Sequence, residues 1–191
     1  MKSVLISIKP KWVEKITSRK KTIEVRKTAP KEVPFKCYIY MTKGTYKDLG
    51  SYSEWIYKNR MKVIGEFICD KVYNLVNAFG GIMFADENLN QLEPQLFRDM
   101  SCLTDEQTAD YFGDKDGYGW HISDLKIYDK PKELSEFYTI PENGSDCCCG
   151  CIWNETSLDE MPCRTCTSER KYLYRPPQSW QYVEELCKAQ N

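Results

Sequence analysis

Apolar residues recur with period two at Val4, Ile6 and Ile8, alternating with Ser3, Ser7 and Lys9, which predicts a half-buried strand. Pro10 follows where a proline suits the first turn of a helix, since its missing N–H has no partner there anyway. Val13 and Ile16, with Trp12 beside them, then set a narrow apolar stripe at helical spacing. Ser18, Arg19, Lys20 and Lys21 end that helix with cations near its negative end. From Thr22 the period returns to two, with Ile23 and Val25 on one face and Thr22, Glu24 and Arg26 on the other.

The same patterning continues downstream. Phe35 to Thr42 reads as a strand with Phe35, Cys37, Ile39 and Met41 on one face, and a helical turn is expected around Ser53–Tyr57. Met61 to Tyr73 reads as one long strand, with Gly65 marking a bulge or a close backbone approach. Residues 74–100 carry no clear period. Thr104 and Gln107 have the spacing of a capping box, so a helix is expected from there to Phe112, stopping before Gly113. Tyr118 to Tyr128 reads as a second long strand, Pro131 to Phe137 as a short helix, and the region around Cys187 as a C-terminal helix. Strands with a few short helices and no βαβ rhythm predict an α+β fold with a mainly antiparallel β-barrel. The expected organisation is a body over 1–141, a Cys-rich insertion over 142–174, and a segment over 175–191 that returns to the body.

Composition narrows the class. Hydrophobic residues make up 41% of 191 and aromatics 13%, enough to build a core rather than a disordered chain. No apolar run approaches the ~18 residues of a membrane span, and the first residues lack a signal-peptide core, so a soluble, cytoplasmic protein without a membrane partner is expected. Net charge is −1, yet residues 1–36 hold eleven cations against three glutamates, while 84–116 hold nine acids against Arg98 and Lys115. A basic face suits phosphates; the acidic 84–116 region suits a protein partner.

Ten cysteines in an intracellular chain argue against a disulfide framework. Six of them crowd between Cys147 and Cys166. Cys148 and Cys151, then Cys163 and Cys166, form two C-x2-C pairs whose spacing fits a tetrahedral structural Zn²⁺ site. Cys147 and Cys149 are adjacent alternatives to Cys148, and iron–sulfur ligation is an alternative for the metal. Such a closed site folds its insertion rather than activating water.

The segment from Ile8-Lys9-Pro10 to Lys20-Lys21-Thr22-Ile23-Glu24-Val25-Arg26 resembles the signature of ASCH domains, small PUA-like β-barrels. In that family the turn before Lys-Lys-Thr usually carries a glycine, and Arg19 stands close to that place. The pieces Trp120 to Leu125 and Arg175 to Trp180 are similar to those of a phage- and prophage-associated branch. The resemblance implies a barrel pocket beside the motif strand and binding of RNA, a nucleotide or a nucleoside. Lys9, Lys20, Lys21, Arg26 and Lys27 then become phosphate or base ligands, with Trp120 as a stacking surface and His121 as a pocket residue. Some family members hydrolyse an acylated cytidine with a Lys, a Thr nucleophile three residues on, and a more distant acid. Lys21 matches the Lys, Glu24 occupies the nucleophile position, and Asp99 is a loose match for the acid. A carboxylate cannot repeat the Thr route, but Glu24 beside Lys21 suits a general base acting on water. The third possibility is a phage-type protein-interaction module without a nucleic-acid role.

Overall fold

The computed structural model describes residues 2–45, 52–78, 81–139 and 172–186. The Cys-rich run, with Cys148, Cys151, Cys163 and Cys166, and the C-terminal helix expected at Cys187 lie outside these residues. The chain opens as β1 (Ser3–Ile8), α1 (Pro10–Thr17), β2 (Ile23–Arg26) and β3 (Phe35–Met41). It continues through α2 (Glu54–Asn59), β4 (Val63–Cys69), β5 (Val72–Ala78), β6 (Gly81–Ala85), α3 (Pro94–Ser101) and α4 (Asp105–Phe112). It ends with β7 (Gly117–His121), β8 (Ser123–Lys132), a 3-10 turn (Leu134–Glu136) and β9 (Trp180–Val183).

The expected barrel is replaced by two separate sheets, a five-stranded one ordered β8-β4-β3-β1-β9 and a four-stranded one ordered β2-β7-β5-β6. The larger sheet is mixed, because β1 runs parallel to β3 while its other pairs are antiparallel. The reason lies in the two long strands that periodicity alone predicts. Each is broken once, at Asp70-Lys71 and at Ile122, and each crosses between sheets at its break. β4 and β8 therefore belong to one sheet and β5 and β7 to the other, so the halves fold over one another without closing.

β1 is buried along its whole length rather than on one face. It lies inside its sheet, with Val4, Ile6 and Ile8 packed beside Val13 and Ile16 of α1 and Leu5 in a cluster on the opposite side with Tyr38, Phe137 and Leu173. The alternation of serine with aliphatic residues thus hid a strand covered on both faces. Pro131, expected in a helix, lies within β8 near its end, and a 3-10 turn follows at Leu134–Glu136. A third cluster, Ile23, Val25, Leu75, Phe84, Phe97 and Phe112, packs α3 and α4 on the smaller sheet.

Gly65 shows both features expected of it. The β4 register shifts there against both neighbours, and an added Cβ would lie 2.4 Å from the Lys126 carbonyl oxygen of β8.

Candidate functional site

α1 ends by delivering Lys21 to the interior. Arg19 takes a left-handed conformation with φ of 59°, and the amides of Lys20 and Lys21 return to the carbonyl of Lys15, turning the chain out of the helix. Lys21 is then buried, and its Nζ donates to the carbonyl oxygen of Ser101 at 2.7 Å. The amide of Thr22 donates to Met100 O at 2.9 Å. Lys21 and Thr22 together hold the C-terminal end of α3, where carbonyls lack helical partners and the helix dipole favours a cation.

On β2, Glu24 and Arg26 project from the same face two residues apart, and both are buried. Glu24 Oε1 pairs with Arg26 Nη2 at 3.1 Å, and Glu24 Oε2 lies 3.5 Å from Lys21 Nζ. Arg26 Nη2 also donates to the Ser7 carbonyl at 2.6 Å, tying β2 to β1. One carboxylate thus stands between two cations. Glu24 Oε2 and Arg26 Nε nevertheless have no hydrogen-bond partner among the described residues. Burial pushes the Lys21 ammonium below the ordinary lysine value, with Glu24 pulling in the opposite direction.

These side chains line a cleft of about 630 Å³. Ser7, Ile8 and Lys9 bring in the end of β1, Lys11 and Trp12 the first turn of α1, Gln107, Asp110 and Tyr111 one face of α4, and Gln178 and Ser179 the approach to β9. That last wall is fastened to β1, because Ser7 Oγ donates to Pro177 O at 2.6 Å and the Ser7 amide to Ser179 O at 2.9 Å. Trp12 has the ammonium groups of Lys11, Lys15 and Lys21 within 4.8–5.3 Å of its ring. Lys27 Nζ sits 5.3 Å from the Tyr111 ring. The cleft combines two aromatic walls with four lining cations, Lys9, Lys11, Lys21 and Arg26, against Glu24 and Asp110.

The structure gathers Lys9, Lys21, Glu24 and Arg26 at this cleft, with exposed Lys27 at its margin over Tyr111. Lys20 is exposed and does not line it. Trp120, expected as a stacking surface, is wholly buried, edge-on to Phe35 and Trp180 at 5.1 and 5.6 Å, and offers no face to a base. It stands opposite Glu24 in the β2–β7 register and floors the core beneath the site. His121 does not line the cleft; its Nδ1 pairs with Asp70 Oδ1 at 2.6 Å, bridging the two strand breaks. Asp99 is exposed on α3, accepts from Gln95 Nε2 at 2.7 Å, and does not line the cleft either.

Sequence reading missed Trp12 as a wall, having placed it beside a core stripe, and missed Gln107, Asp110 and Tyr111. Their i, i+3, i+4 spacing on α4 was the available signal. The acidic 84–116 region spans α3 and α4, and Asp105, Glu106 and Asp114 line a second cleft of about 580 Å³ over Ile82, Phe84 and Phe97. No group of three or more His, Cys, Asp or Glu side chains fit to hold a metal occurs among the described residues. No helix among them is long and apolar enough to cross a membrane.

No family model matches the chain, and no curated protein matches it. Solved structures do. The ASCH protein from Zymomonas mobilis superposes with a TM-score of 0.54 at 18% identity, covering 96% of this chain and 88% of that one. A serine-to-alanine variant of the Zymomonas mobilis protein gives a TM-score of 0.51 at 16% identity, covering 96% of this chain and 89% of its own. At such identities the likeness speaks for architecture: mixed sheets, short helices and this chain order. The chain has the fold of the ASCH-domain proteins.

Proposed function

We propose that this protein binds single-stranded RNA or a nucleotide in the cleft beside β2. The observation that carries the reading is the buried Lys21–Glu24–Arg26 network in the cleft wall, whose Glu24 Oε2 and Arg26 Nε have no hydrogen-bond partner among the described residues. Each buried polar atom without a hydrogen bond costs about 1–3 kcal/mol, which a base edge would offset once the cleft wall rearranges to admit it. Trp12 and Tyr111 supply stacking surfaces, and Lys9 and Lys11 meet phosphates at the rim. The ASCH fold supports the same reading.

The test is fluorescence anisotropy of a labelled single-stranded RNA across a salt series, using Lys9→Gln with Lys11→Gln, because these side chains take no part in the buried network. The double variant should bind more weakly, and its salt slope should shrink by about 0.7 for each phosphate that is no longer neutralised. Unchanged affinity and slope would sink the reading.

A second reading, hydrolysis of an acylated nucleoside, has its own support. Glu24 Oε2 has a lone pair free of hydrogen bonds with Lys21 Nζ at 3.5 Å, an arrangement suited to a base activating water. The distant acid is unassigned, since Asp99 stands outside the cleft. Failure of the purified protein to turn over N4-acetylcytidine ends this reading. For the insertion, we propose a structural Zn²⁺ held by Cys148, Cys151, Cys163 and Cys166, drawn from spacing alone.

A further inference from the structure

We propose that Lys21 is an amine nucleophile that captures a phosphate-bearing sugar aldehyde in the cleft as a reversible imine. The inference rests on the nucleotide-binding reading of that cleft. Its side chain is only 2% exposed, so water contributes little to holding the ammonium form, and Arg26 adds a second cation to the same network. Glu24 Oε2, 3.5 Å away and free of hydrogen bonds, is placed to receive the proton. The Ser101 carbonyl at 2.7 Å and the Trp12 ring at 5.2 Å hold Nζ at the cleft wall. The lowered proton affinity of Lys21 agrees with this placement.

The chemistry balances without an added oxidant or reductant. Glu24 takes a proton from the Lys21 ammonium, and the freed nitrogen lone pair forms a bond to the aldehyde carbon as the C=O π pair moves to oxygen. A proton passes from nitrogen to that oxygen, giving a carbinolamine. Glu24 then returns its proton to the hydroxyl, which leaves as water while the C=N bond forms. The products are a protonated imine and one water, with Glu24 again a carboxylate beside the cation.

Burial selects the substrate class. An aldehyde carbon bears one hydrogen and reaches a nearly covered amine more easily than a ketone does. Its phosphate is drawn by Lys9 and Lys11, not toward Glu24. The ring-opened sugar of an abasic nucleotide and a free sugar phosphate share this chemistry.

The test incubates the full chain with a fluorescent abasic oligonucleotide, or separately with glyceraldehyde 3-phosphate, under sodium cyanoborohydride, which reduces an imine to a stable amine. Intact mass and peptide mapping then locate the adduct, and anisotropy without reductant reports binding. The expected result is one adduct per chain, on Lys21 rather than on exposed Lys9, Lys20 or Lys27. The reagent that forms it identifies the source, nucleic acid or free sugar phosphate. Binding without an adduct, or adducts spread over the exposed lysines, overturns the inference and leaves nucleotide binding standing. Absence of oligonucleotide binding together with absence of any Lys21 adduct overturns both. Lys21→Arg should form no adduct at position 21; if it fails to fold, mapping on the natural protein decides.

Discussion

Glu24 links the two buried cations of the site, because its carboxylate faces both Lys21 and Arg26 away from water. Removing one member of such a buried group leaves uncompensated charge, so Glu24→Gln should cost about 3–5 kcal/mol of stability. Urea denaturation checks this, and a loss below about 1 kcal/mol would mean that water reaches the network. Lys21 gives a second residue-scale prediction with a definite sign. Its native proton affinity lies below the ordinary value of 10.5. Between those two values the unfolded chain keeps a proton that the native chain has released, so stability rises with pH through the window. Below it, the full cost of a buried ammonium is present. Lys21→Met should remove this rising component, and unfolding curves from neutral pH to about 10.5 for both proteins should diverge in slope. Parallel slopes would refute it.

At the scale of elements, the site depends on how helices end and begin. Arg19 occupies a left-handed position at the end of α1, where a side chain costs about 1–2 kcal/mol and glycine costs little. Arg19→Gly gives back part of that gain through the freer unfolded chain. It should still raise stability by about 0.5–1 kcal/mol, read as a higher denaturation midpoint at unchanged m-value. α4 begins with a complete capping box, Thr104 Oγ1 accepting from the Gln107 amide and Gln107 Oε1 from the Thr104 amide. Gln107 also lines the cleft, so the cap and the site share a residue. Thr104→Ala should cost about 1 kcal/mol and weaken the proposed RNA binding by loosening the helix that carries Tyr111. At Gly117 a Cβ would fall 1.9 Å from Phe112 Cε1. Gly117→Ala must therefore displace the last residue of α4, by the same route to the cleft.

For the whole molecule, charge is segregated between two clefts that share α4. Gln107, Asp110 and Tyr111 serve the basic cleft, and Asp105, Glu106, Thr108 and Ala109 the acidic one. Under the proposed function, this segregation would steer an anionic ligand to the first cleft and away from the second. Tyr138 and Tyr172, which flank the Cys-rich run in sequence, form a bridge with their rings 4.5 Å apart. The proposed zinc predicts about one Zn²⁺ per purified chain and, after chelation, increased protease cleavage confined to 142–171. A chain that carries no zinc and resists protease there would refute the four-cysteine assignment.

Local physics was legible in the sequence wherever it acts alone. The period of two marked β1, β2 and β3, Pro10 marked the start of α1, and Thr104 with Gln107 fixed α4 from its cap to Phe112. The clustering of Lys9, Lys21, Glu24 and Arg26 followed from the motif, since one strand–helix–strand unit carries all four. Tertiary structure decided what depends on a second, distant partner. Whether Glu24 and Arg26 face water was settled by the Ser7 carbonyl and by Gln107, Asp110 and Tyr111 of α4 across the cleft, none of which leaves a trace in the period of β2. The burial of Trp120 was settled by Phe35 and Trp180, far away in sequence. The breaks that divide two long strand patterns between two sheets were settled by packing, because alternation records which faces are apolar and not which sheet they join.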